Sequence, residues 1–177
     1  MKQLIFILLI LPALAFNTVG LGGKIGVAIP EDIDATFTFG FFGRFGISRN
    51  IKIESGIGYW TETETYYPFS IKTKYSDLSI TGTLHFLFPI PKSNFQPYTG
   101  FGLGIHDVNT KNTEIHTGHV WYTHDETNFG FHMLGGANYF ITPRSLVFGE
   151  LRYAVVDEWY NTFSITWGFE FLLPQTR

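Results

Sequence analysis

Phe163-Ser164-Ile165-Thr166-Trp167-Gly168-Phe169-Glu170-Phe171-Leu172-Leu173 alternates without a slip. Phe163, Ile165, Trp167, Phe169, Phe171 and Leu173 share one parity, and Ser164, Thr166, Gly168, Glu170 and Leu172 share the other. A period of two predicts a strand whose faces meet different surroundings. Here one face is large and wholly apolar. The other is mostly small or hydroxylated and carries one carboxylate.

Working back from this stretch, the same alternation predicts seven more strands, at about residues 20–29, 35–47, 51–60, 73–88, 98–106, 127–140 and 145–156. None has a proline in its interior, as a sheet ladder requires. No Arg, Asp or Glu falls on the apolar parity of any strand, and of the lysines only Lys74, at the start of the fourth, does. Tight turns are expected at Ser48-Arg49-Asn50, at Pro89 to Asn94 and at Thr142-Pro143-Arg144. Polar segments at 61–72 and 107–126 read as long loops.

Composition decides which face meets water. Charged residues make up 15% of the 177-residue chain, aromatics 18%, and Gly and Phe number 19 each. The outer face of a soluble barrel or sandwich needs roughly 25–35% charged residues, and the small-residue face here falls short of that. The bulky apolar face suits lipid, and the small polar face suits a narrow interior. The expected fold is therefore all-β, an eight-stranded antiparallel up-and-down transmembrane β-barrel. Phe37, Phe39, Phe41, Leu103, Phe131, Phe163, Ile165, Trp167, Phe169 and Phe171 are expected to face lipid. Leu103→Lys is expected to destabilise the folded barrel, and Gly102→Ser, on the inward face, to be milder. Tyr59, Trp60, Tyr66, Tyr67, Trp121, Tyr122, Trp159 and Tyr160 are expected as one interfacial aromatic girdle, and Phe88, Tyr98, Tyr139 and Phe140 as the other.

The inward parity collects Lys24, Arg44, Lys52, Glu54, Asp77, Glu150, Arg152 and Glu170, with His85 among them. Lone charges in a poorly hydrated lumen are costly, so pairing is expected. Counting outward from Arg49 sets Arg44 across from Glu54. Closure of the barrel brings the first strand beside the last, so Lys24 is expected to reach Glu170 if the register allows.

The formal charge of −3 argues against nucleic acid, and the absence of Cys excludes disulfides and thiolate metal sites. Residues 1–15 read as a secretory signal peptide: Lys2, an apolar run from Leu4 to Leu11, then Ala13-Leu14-Ala15. Residues 16–177 form the barrel domain. Glu114, His116, His119, His124, Asp125 and Glu126, preceded by His106 and Asp107, suit metal ligation by type but match no ligand spacing. They read as a solvated loop, so neither metal nor cofactor is expected.

Pro97-Tyr98-Thr99-Gly100-Phe101-Gly102-Leu103-Gly104, Gly135 to Pro143 and Glu150-Leu151-Arg152-Tyr153 resemble the small outer-membrane β-barrel superfamily. That group includes the barrel domains of outer-membrane proteins A, W and X. One departure is Pro174-Gln175-Thr176-Arg177, which follows Leu173 where such barrels often end on an aromatic that the assembly machinery reads. The resemblance implies a location in the bacterial outer membrane. Its lipids and the barrel-assembly machinery are the implied partners, and a monomer is expected. It also implies periplasmic termini, with the turns near Arg49, Lys92 and Pro143 on that side and the loops around Tyr66 and His119 outside.

The function expected is that of a structural and surface-contact protein with a filled lumen. It is not expected to be a general porin or an enzyme. The alternatives are a narrow channel or carrier for small or apolar molecules, or a lipid A-modifying barrel enzyme. Catalysis would need a Ser and His set near the membrane edge, whereas His85, His106 and His132 share the inward parity.

Overall fold

The structure is a computed structural model that describes residues 18–66, 71–115, 118–156 and 161–174. Among these residues every regular element is a strand: β1 (Thr18–Pro30), β2 (Thr36–Gly46), β3 (Ile51–Tyr66), β4 (Ile71–Leu87), β5 (Phe95–Glu114), β6 (Val120–Thr142), β7 (Ser145–Val155) and β8 (Thr162–Leu172). Each pairs antiparallel with its neighbours in sequence, and β1 pairs with β8 to close the barrel. Closure satisfies the backbone without an open edge, which a strand structure in hydrocarbon requires. The signal-peptide reading, Tyr67, His116, Trp159, Tyr160 and residues 175–177 lie outside the described residues, as does the side chain of Tyr66.

The predicted alternation sets the two faces. The ten expected outward residues all lie on the outer surface. Phe41 is 70% exposed and Trp167 57%, while Ile165 is half covered by its neighbours. Phe45 shares this parity yet is buried, because its ring lies over Gly43 beside Leu21.

The interior departs from the expectation of small and polar side chains. Phe42, Leu146 and Phe148 form one buried cluster with Phe140 against it, and Leu87, Tyr98 and Leu134 form a second. Glycine makes the room. Phe42 stands across from Gly22, Phe148 from Gly168 and Tyr98 from Gly136. A Cβ at any of these glycines would run into the opposing ring.

The long loops are also corrected. The β3–β4 ladder runs on to Tyr66↔Ile71, and the β5–β6 ladder to Thr113↔Val120 past a register shift at Asn112/Thr113. By contrast, β2 leaves β3 at Thr38↔Trp60, and β7 joins β6 only at Phe131↔Val155. Strands β3 to β6 thus continue as a four-stranded fin beyond the closed barrel. Runs such as Thr61-Glu62-Thr63-Glu64-Thr65 lack an apolar face and so read as loop, but threonine favours extended backbone and the ladder carries on through it.

The girdle assignment changes with these elements. Tyr59, Phe88 and Tyr139 lie on the outward parity. Trp60 and Tyr98 are buried inside, Phe140 packs inward, and Trp121 and Tyr122 sit exposed on the fin.

Candidate functional site

The turn-side half of the interior is filled by charge. The chain's eight strands converge there with one or two inward ionic residues each on β1, β2, β3, β7 and β8. Arg44 on β2 lies directly across from Glu54 on β3. Its Nε donates to Glu54 Oε2 at 2.7 Å, and its Nη1 donates to Glu170 Oε2 at 2.9 Å. Arg152 Nη2 reaches Glu54 Oε1 at 3.3 Å and Glu150 Oε1 at 3.0 Å. Lys52 Nζ donates to Glu170 Oε1 at 3.3 Å. The three carboxylate side chains are fully buried.

Lys24 differs from the expectation. The β1–β8 register sets Glu170 across from Gly22 and Lys24 across from Gly168, so Glu170 sits nearer the turn end. Lys24 instead spans the lumen, with Nζ 3.2 Å from Glu54 and 3.4 Å from Glu150. Asp77 also stands apart. It lies toward the fin on β4 and meets His106 Nδ1 through Oδ2 at 2.9 Å, away from the other seven charges.

Sequence reasoning put His85 on the inward parity without assigning it a partner, and missed Tyr98, Phe42 and Phe148. His85 Nε2 lies 3.3 Å from Glu54 Oε2, and the Tyr98 hydroxyl donates to Glu150 Oε2 at 3.2 Å. The guanidinium of Arg44 is held between the rings of Phe42 and Phe148, with its carbon 4.6 Å from each centroid. Burying an ion carries a penalty of several kcal/mol, which only good geometry and further hydrogen bonds offset. Four cations, three carboxylates and two rings supply both here.

Glu54, His85 and Glu150 bring ligand atoms within 4.8 Å of one another, a spacing that suits a metal ion. Their chemistry does not. Lys24, Arg44 and Arg152 already occupy the carboxylates, and another cation would add charge to a cluster whose cations outnumber its acids. Of the described acidic and histidine residues of 107–126, Asp107 and Glu114 lie on β5, His124, Asp125 and Glu126 lie on β6, and His119 lies between the two strands. His124 Nε2 lies 2.5 Å from Glu126 Oε1, and Asp125 accepts from Asn109.

On the fin side of the charges lies a recess of about 80 Å³, lined by Trp60, Asp77, Ser79, Thr81, His106 and His132 and floored by Lys24, Glu150 and Arg152. His132 shares a 2.8 Å hydrogen bond with Thr83. The hydroxyl and the acid thus attach to different imidazoles, Thr83 to His132 and Asp77 to His106. This is not the single relay that nucleophilic catalysis needs.

The closed eight-stranded fold matches known barrels. The Neisserial surface protein A is 16% identical, with 87% of this chain and 95% of that chain covered and a TM-score of 0.66. OprG of Pseudomonas aeruginosa is 12% identical, with 91% and 97% covered and a TM-score of 0.62. Ail, the attachment invasion locus protein of Yersinia pestis, is 10% identical, with 88% and 97% covered and a TM-score of 0.60. At these identities the likeness is one of fold. No curated protein sequence matches the chain. The sequence itself matches the outer membrane protein beta-barrel domain over residues 4–171. The chain belongs to that family of bacterial outer-membrane β-barrels.

Proposed function

We propose that this protein is an integral outer-membrane barrel with a side-chain-filled lumen, serving as a structural and surface-contact element of the envelope and not as a general porin. The observation that carries the reading is the ion network. Arg44, held by Glu54 and Glu170 and clamped between Phe42 and Phe148, stands in the middle of an interior that an eight-stranded barrel leaves only wide enough for side chains. A barrel closed in this way acts through its outer end.

The fin supports the second half of the reading. It carries exposed Trp121 and Tyr122, and among the described residues β6 from Val120 to Gly130 has no β7 partner, which leaves an open strand edge there. In the proposed orientation the fin is outside the cell and the turns at 47–50, 88–94 and 143–144 face the periplasm. Export uses residues 1–15 as a cleaved signal. The outward Phe, Ile, Leu and Trp residues meet lipid. The separate Thr83–His132 and Asp77–His106 pairs support a non-enzymatic role.

Swelling of liposomes that contain the folded protein tests this function. No swelling is expected with arabinose or larger sugars, and porin-like swelling rates would overturn the reading.

A further inference from the structure

The fin sorts its charges by face. Continuing the alternation of the barrel, Glu62 and Glu64 on β3, Glu114 on β5 and Glu126 on β6 point to the axial side. Lys72 and Lys74 on β4 and Lys111 on β5 point to the outward side. All three lysines are exposed, and none is in an ion pair with a described residue. Lys74 stands directly across from Lys111. Like charges in that position repel. Their other cross-strand neighbours, Thr63 and Thr123, carry no charge. Of the outward acids nearby, Asp125 is occupied by Asn109, and Asp107 lies down beside Leu78.

Height identifies what meets these lysines. The outward apolar band ends at Tyr59, Leu78, Ile105 and Phe129. Lys74 lies four residues before Leu78 on β4, toward the fin, about 13 Å along an extended strand and roughly 10 Å along the axis of a tilted one. A lysine stem reaches down from there while its ammonium stays in the polar layer. Anionic groups found at that depth, on the outer surface of a barrel, are the headgroup phosphates of the surrounding lipid.

We propose that Lys72, Lys74 and Lys111 form a docking face for the phosphate groups of a phosphorylated glycolipid in the outer leaflet. The bound phosphate sits between Lys74 and Lys111 and relieves their repulsion. The axial glutamates keep the same anion off the other side of the fin. The placement rests on the fin end facing outside, as proposed above.

The test uses the full mature chain folded in zwitterionic detergent, with bound lipid counted by native mass spectrometry. This assay does not depend on orientation in the cell, so it fails or succeeds independently of that reading. Diphosphoryl lipid A is expected to bind the native protein at low salt. Binding should be roughly tenfold or more weaker in the triple variant Lys72→Gln, Lys74→Gln, Lys111→Gln, and weakened by added salt. The control Glu62→Gln, Glu64→Gln should bind as the native protein does. Single Lys74→Gln should give an intermediate loss, which serves if the triple variant folds poorly. Three outcomes would overturn the proposal. Dephosphorylated lipid A binds the native protein equally well, the triple variant keeps its affinity, or inorganic pyrophosphate or a soluble sulfated polysaccharide occupies the same lysines more tightly than the lipid.

Discussion

Arg44 stands directly across the β2–β3 ladder from Glu54, with its Nε 2.7 Å from Oε2 and both side chains buried. Glu54 is the hub of the pair, since Lys24, Arg152 and His85 also reach it. Lys24, Arg44, Lys52 and Arg152 face Glu54, Glu150 and Glu170. Removing Arg44 leaves three charges of each sign. Removing Glu54 leaves four cations for two carboxylates. Glu54→Leu should therefore cost about 3–5 kcal/mol, more than Arg44→Leu, and the double variant should be more stable than Glu54→Leu alone. Reversible urea unfolding in lipid vesicles measures this. Equal losses in the two single variants would show that the charges do not act as one network.

Arg44→Lys preserves the charge but not the stacking. Lysine cannot present a flat cation to Phe42 and Phe148 while also donating to Glu54 and Glu170. A loss of about 2 kcal/mol is expected in the same unfolding assay, from the desolvated cation–π contacts alone. Unchanged stability would reduce the two rings to space filling.

The two faces of β5 give a contrasting pair. Leu103 points outward and is half exposed, so Leu103→Lys at mid-strand should cost roughly 2–4 kcal/mol in lipid. Gly102, whose serine variant is expected from sequence to be the milder of the two, faces inward with no room. A Cβ there would lie 2.6 Å from His132 Nε2 and closer still to the Gly82 carbonyl. Gly102→Ser should therefore also destabilise, whereas Gly82→Ala, with nothing within 4 Å of its Cβ, should be near neutral. A neutral Leu103→Lys would mean that this face does not meet hydrocarbon.

The barrel was legible because alternation survives wherever one face meets lipid, as from Phe163 to Leu173. Arg44 and Glu54 were legible because a tight hairpin makes register a matter of counting. Lys24 was not, since the stagger between β1 and β8 is a property of the closed barrel and no turn encodes it. Phe42 and Phe148 escaped because bulk was read as outward, and only the facing glycines at 22 and 168 show that a ring fits inside. The fin escaped because Thr-Glu-Thr-Glu and Lys-Thr-Lys alternate charge rather than hydrophobicity once the strand has left the closed barrel. The recess needs the register of all its strands.

Orientation has its own test. A specific protease site inserted after Gly118, between β5 and β6, should be cut on intact cells. Cutting only after the outer membrane is permeabilised would place the fin in the periplasm.

The central claim is that buried ion pairs and rings close the lumen, and single-channel recording of the purified barrel in planar bilayers tests it most directly. The native protein should show no stable open level of porin size at moderate voltage. The variant Arg44→Ala with Phe42→Ala and Phe148→Ala, which removes the clamped guanidinium and both rings, should show one if it folds. Long-lived, voltage-independent porin-like steps from the native protein would contradict the account.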